Sequence, residues 1–196
     1  MKTMKKVLSI IALLALTLSA AFAQEPVKKY ELKSGIIKNV SNALGQEIET
    51  QLFFDDYGAL ETTKTRTEVP GKGMLEITTI SRDGKTYMIN PMMKPALQEI
   101  DMKMDENVNY LNLTDAAKEK FKIEDLGTEM IGERECTKYS QIVDQSGIKA
   151  KATIWVWKGI PIKTSIKIMG MEMTTEAVEI QENAYILPIT FEVPTE

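Results

Sequence analysis

The sequence predicts a mainly β domain with short helices, its strands running antiparallel in one large, strongly curved sheet covered on one side. Two observations carry that prediction. From Thr128 to Ile180, strand-like runs succeed one another at hairpin spacing. Midway along the chain, Leu113-Thr114-Asp115 starts a short helix, so helical structure is inserted between two groups of strands.

In chain order, Tyr30 to Val40 reads as a strand with Tyr30, Leu32, Ile36 and Val40 on one parity and an irregularity at Gly35. Glu47 to Phe54 places Ile48, Leu52 and Phe54 opposite Glu47, Glu49 and Gln51. Asp55 to Ala59 turns the chain, with Gly58 free to take positive φ. Leu60 to Val69 alternates threonines with charged residues, as a solvated strand with little packing on either face does. Pro70-Gly71-Lys72-Gly73 ends it. Met74 to Ser81 and Thr86 to Ile89 flank Arg82-Asp83-Gly84-Lys85, a hairpin with a tight Asp-Gly turn.

Beyond Asn90 the pattern dissolves around Pro91 and Pro95. Thr114 is the N-cap of the short helix, Ala116, Ala117 and Phe121 form its inner side, and Gly127 closes the region. Thr128 to Arg134, Cys136 to Val143, Ile148 to Trp157, Ile162 to Met169 and Met173 to Ile180 are the second group of strands. Their turns come from Asp144-Gln145-Ser146-Gly147, Lys158-Gly159 before Pro161, and Gly170. Ile189 to Val193 reads as a last strand before Pro194.

Residues 1–23 have the three parts of a secretory signal peptide: basic Lys2, Lys5 and Lys6, apolar Val7 to Leu18, and Ala21-Phe22-Ala23 as a cleavage site. The expectation is cleavage after Ala23, a single domain over 24–196, and a periplasmic location. No later apolar run is long enough to span a bilayer. Removing three lysines and no acid takes the formal charge from −4 to −7. An acidic balance of this kind excludes nucleic acid, whose phosphates need clustered Lys and Arg.

Histidine is absent and cysteine occurs once, at Cys136. Without histidine the usual general base and the commonest metal ligand are missing, and no Ser-His or Cys-His pair can form. Phosphate-binding glycine motifs are missing too. Asp55-Asp56 reads as a turn rather than a catalytic carboxylate pair. The inventory points away from an enzyme and implies no cofactor and no metal site.

Three stretches together resemble the LolA/LolB-like superfamily of periplasmic lipoprotein carriers. Arg82-Asp83-Gly84-Lys85-Thr86-Tyr87-Met88-Ile89-Asn90-Pro91 is similar to that family's central hairpin, in which D-G-K-x-aromatic leads into N-P or D-P. Thr190-Phe191-Glu192-Val193-Pro194 is similar to its closing F-x-x-P strand, and Gly159-Ile160-Pro161-Ile162-Lys163 to its G-x-P turn. The resemblance implies an incomplete (half) β-barrel with a helical lid, whose concave apolar face holds acyl chains of a lipid or lipoprotein. In one place the chain departs from those carriers. They put a basic residue just before the proline that opens the central hairpin, and here Glu68-Val69-Pro70 stands there.

Ten of the 12 methionines lie after residue 23. Methionine is adaptable and polarizable, and it recurs where a surface must fit variable apolar partners. Met88, Met92, Met93, Met102 and Met104 are therefore candidates for an apolar groove and its lid, with Trp155 and Trp157 next, on one face of a strand opposite Ile154 and Val156. Plain core filling is the competing role for each. The sequence leaves two other readings open. One is an envelope structural or partner-binding protein whose groove is filled by its own side chains. The other is Cu(I) binding by Met102-Lys103-Met104 and Met169-Gly170-Met171-Glu172-Met173.

Overall fold

The computed structural model describes residues 28–43, 46–69, 71, 73–100, 108–145, 148–168 and 170–194. Its strands are β1 (Gly35–Ala43), β2 (Gln46–Asp55), β3 (Leu60–Val69), β4 (Gly73–Arg82), β5 (Lys85–Ile89), β6 (Leu97–Ile100), β7 (Glu124–Ile131), β8 (Arg134–Gln145), β9 (Ile148–Trp157), β10 (Ile160–Ile168) and β11 (Met171–Glu182). They join in one sheet in the order β6-β5-β4-β3-β2-β1-β11-β10-β9-β8-β7, and every neighbouring pair is antiparallel. The sheet is not closed: β6 and β7 are its edges. The result is the curved, open half-barrel expected from the sequence.

Local chemistry explains where the elements begin and end. Asp83 and Gly84 both take positive φ (52° and 74°) in the β4–β5 turn, the backbone that a two-residue hairpin needs. Helix α1 (Asp115–Phe121) starts where Thr114 Oγ1 accepts a hydrogen bond from the Ala117 amide at 3.2 Å. It ends at Lys122, in the left-handed region with φ 53°. Ala117 and Phe121 are half-buried, while Ala116 is exposed.

Five readings of the sequence change. Residues 31–34 are bends rather than strand, and β1 begins at Gly35 because the Phe54 ring lies over it: a Cβ there would sit 2.7 Å from Cε1 and Cζ. Within β1 it is Ile37, not Ile36, that is fully buried. Leu97–Ile100 is a strand that the two prolines hid. Gly127 closes nothing; it lies inside β7, at φ 89°, where the register with β8 slips between Asp125 and Thr128. Ile189 to Val193 is not a strand. Pro188–Phe191 is a 3-10 turn, with proline in its first position, where no amide donor is needed.

That turn explains why β3 is better packed than its threonines imply. Thr62 is 1% exposed and donates to the Thr190 carbonyl at 2.8 Å, while Arg82 donates to the Phe191 carbonyl at 3.2 Å. Ile80, paired with Thr62, and Phe191 are both buried. The C-terminal segment therefore covers one face of β3 and β4.

The core has two clusters. The larger contains Tyr30, Leu32, Ile37, Phe54, Cys136, Trp155, Ile160 and Ile162. The smaller has Ala152, Ile154 and Val156, packed by Tyr110, Tyr139, Val143 and Ile166. Tyr110 stacks on Tyr139 with ring centroids 5.6 Å apart, and its hydroxyl donates to Gln141 at 2.7 Å. Tyr110 thus covers the β8–β10 part of the sheet, and α1 contacts β8.

Candidate functional site

Directly paired residues share a face of a sheet, so the register defines what the uncovered face presents. One row runs Ile37–Leu52–Thr63–Thr79–Met88 across β1 to β5. The next runs Phe54–Glu61–Ser81–Thr86. These rows are opposite in parity to Thr62 and Ile80, so they face away from the C-terminal segment. The pairs Ser41–Thr175, Thr175–Thr164 and Thr164–Ile154 carry the same face round to the cluster beneath Tyr110.

One face therefore has two halves. The β8–β10 half is capped by Tyr110. The β1–β4 half holds a groove of about 300 Å³, with the half-buried Leu52 as an accessible apolar side chain above a floor of the buried Ile37 and Ile160, and Thr63, Thr79 and Ser81 as a hydroxyl wall. That volume is at the lower end of pockets that take small organic ligands, about 300–1,000 Å³.

The end of the groove is built by the N-terminal segment. Tyr30 packs its ring on Phe54, centroids 4.6 Å apart, and its hydroxyl donates to Glu61 Oε1. Lys29 Nζ donates to Glu61 Oε2 at 2.6 Å. Main-chain bonds hold the segment in place: the Lys29 and Tyr30 amides donate to the Tyr57 carbonyl, and Glu31 donates to the Lys158 carbonyl. Burial, reinforced by the charge of Glu61 and the hydrogen bond to it, pushes the Tyr30 hydroxyl well above its ordinary value of 10.0. Tyr110 is raised as well, chiefly by burial.

These shifts fix the sign of an alkaline effect. A phenol whose pKa is higher folded than unfolded lends stability that is complete below about pH 10 and is lost as the pH rises through the folded value. Urea midpoints should therefore fall above pH 10, more steeply than the gentler loss that begins near pH 9, where the thiol of Cys136, also raised by burial, ionises in the unfolded chain. Tyr30→Phe should make that fall shallower. An unchanged slope in the variant would remove Tyr30 from the account.

The residues singled out in the sequence are dispersed. Met88 is half-buried and in register with Thr79, at the end of the row that crosses the groove, and is not itself part of the groove wall. Met92 and Met93 are 50% and 40% exposed in the turn after β5, where the Met92 amide donates to Asn90 Oδ1. Met102, Met104 and Met169 lie outside the described residues. Met171 is exposed and Met173 half-buried.

Trp155 and Trp157 alternate with Ile154 and Val156 and so turn away from Tyr110. Trp155 is 8% exposed; its indole N–H donates to Glu129 Oε2 at 3.0 Å, with Lys138 and Lys163 over its ring. Hydrogen bonds from Lys138 and then Trp155 hold the Glu129 carboxyl below its usual range. Arg134 and Lys158 cover Trp157. Neither indole is part of the groove wall. Cys136 is fully buried, and burial pushes its thiol up, away from reactive thiolate.

Tyr30, Glu61 and the hydroxyl wall were not legible as a site. Glu61 and Thr63 look like any exposed alternation until β4 and the N-terminal segment are laid beside them. Among the described residues, no group of three or more His, Cys, Asp or Glu side chains is placed to hold a metal ion. No helix among them is long and apolar enough to cross a membrane.

No family model matches the chain, and no curated protein matches it. Solved structures do. An uncharacterized conserved protein from Thermus thermophilus is 11% identical, covering 87% of this chain and 91% of that one, with a TM-score of 0.54. At that identity the likeness is one of fold. The chain is also similar to LprF from Mycobacterium bovis (10% identical, 81% and 89% covered, TM-score 0.43). A LolA superfamily protein from Nitrosomonas europaea is 10% identical, with 85% and 93% covered and a TM-score of 0.35.

Proposed function

We propose that this protein is a non-enzymatic, exported binding protein that shelters a lipid, an acyl chain or an acylated protein in the groove of its open sheet. The observation that carries the reading is the divided face. One half is covered by Tyr110, while the other has an open groove above Leu52, Thr63 and Thr79, floored by the buried Ile37 and Ile160. A self-filled envelope protein would close both halves. Each methylene removed from water contributes about 0.8 kcal/mol, so ten of them contribute about 8 kcal/mol against the ordering costs of binding. The signal-like residues 1–23 and the carrier-like hairpin support a periplasmic site of action, with lipid or lipoprotein acyl chains as partners.

Native mass spectrometry of the protein purified from its exported compartment, followed by organic extraction, tests this directly. Co-purified lipid or acylated peptide is the expected result. A clean apo mass, with no uptake on lipid titration, would transfer the assignment to a self-filled interaction protein. Thr79→Trp, which places an indole in the groove from the middle of β4, should weaken uptake at least tenfold and leave the fold intact by circular dichroism.

A further inference from the structure

We infer that the groove selects a single-chain amphiphile with an uncharged, hydrogen-bonding headgroup, such as a monoacylglycerol or a long-chain alcohol. The inference rests on the reading of the groove as a ligand site and concerns what that site accepts. Its charged wall residues are Lys29 and Glu61, and they are bonded to each other. The second Glu61 oxygen is taken by the Tyr30 hydroxyl. Both are largely withdrawn from water, with side-chain exposures of 26% and 14%, so their pairing is screened less than a surface ion pair.

A ligand carboxylate approaching Lys29 would have to sit beside the Glu61 carboxylate. A ligand ammonium approaching Glu61 would meet Lys29. Either charged headgroup gains one attraction and one repulsion, and gives up its own hydration to do so. What the wall offers is different: the hydroxyls of Thr63 and Thr79, the amide of Asn39, and the hydroxyl of Ser81, which shares one hydrogen bond with Thr86. Each both donates and accepts, which matches alcohols, esters and amides. The apolar side chain of Leu52 is alongside, over the buried Ile37 and Ile160, and the volume of about 300 Å³ suits one chain rather than several.

The test uses the mature protein and an uncharged fluorescent probe, N-phenyl-1-naphthylamine, displaced by monopalmitoylglycerol, palmitate or hexadecyltrimethylammonium at one pH and below their micellar concentrations. Monopalmitoylglycerol should compete at least tenfold better than either ion. In Glu61→Gln, Lys29 loses its counter-charge, and palmitate should gain at least fivefold relative to monopalmitoylglycerol. Equal competition by either ion in the wild-type protein, or an unchanged ratio in the variant, would overturn the headgroup assignment and leave the ligand site standing. Failure of all three ligands, with no probe uptake, would instead overturn the ligand site itself. Should Glu61→Gln not fold, the wild-type comparison alone decides.

Discussion

Replacing Phe54 by alanine is expected to lower the stability of the fold by about 3–5 kcal/mol, the range for removing a large aromatic from a packed core. Phe54 has no exposed surface, and three neighbours depend on its ring. Tyr30 packs against it, Gly35 lies under it with no room for a side chain, and Leu52 flanks the cluster to which it belongs. The cavity could be filled only by moving Tyr30, whose hydroxyl is tied to Glu61, so relaxation is limited. Urea unfolding followed by tryptophan fluorescence measures the loss. A change below about 1 kcal/mol, the size of an ordinary substitution, would mean that the end of the sheet is not held together by this ring.

Gly159→Ala is expected to detach the N-terminal segment. Gly159 takes φ 81°, and a Cβ there would stand 2.6 Å from the Lys29 carbonyl oxygen and 3.2 Å from Leu111 Cβ. The backbone conformation alone costs a residue with a side chain about 1–3 kcal/mol. The closer contact is with main chain, which cannot swing aside as a flexible side chain can. Gly84→Ala is the matched control, since Gly84 takes φ 74° with open space around it. Relative to that control, Gly159→Ala should speed hydrogen exchange at the amides of Lys29, Tyr30 and Glu31 and weaken ligand uptake as Tyr30 leaves the groove. Equal behaviour of the two variants would show that the segment does not depend on this approach.

Much of the fold was legible because it is written in neighbouring residues. The Asp83-Gly84 turn, the Thr114 cap and the strands β2, β3 and β9 all depend on local backbone chemistry or on alternation within one segment. The errors have a common physical source in tertiary context. Ile36 and Ile37 are equally apolar, and only the ring of Phe54 over Gly35 settles where β1 begins and which isoleucine is buried. The last segment has strand-like composition, yet Pro188 and the hydrogen bonds to Thr62 and Arg82 hold it as a 3-10 turn. The candidate site was the least legible part, because a groove made of threonine, serine and one paired glutamate has no motif. It exists only as a register of strands.

The position of β1 beside β11 has a consequence for how the protein is assembled. The sheet consists of two meanders, β1 to β6 and β7 to β11, each built of strands that follow one another in sequence. A single seam joins them, with Lys38 bonded to Glu179, 141 positions along the chain. Closing so long a loop adds little to the free-energy cost, since each doubling of length adds only about 0.6 kcal/mol, but contacts this distant form slowly. The groove straddles the seam, for Ile37, Leu52 and Thr79 belong to the first meander and Ile160 and Pro161 to the second. A chain emerging from its amino end thus carries half of the groove until β10 arrives, so the proposed site can be filled only once both meanders have joined.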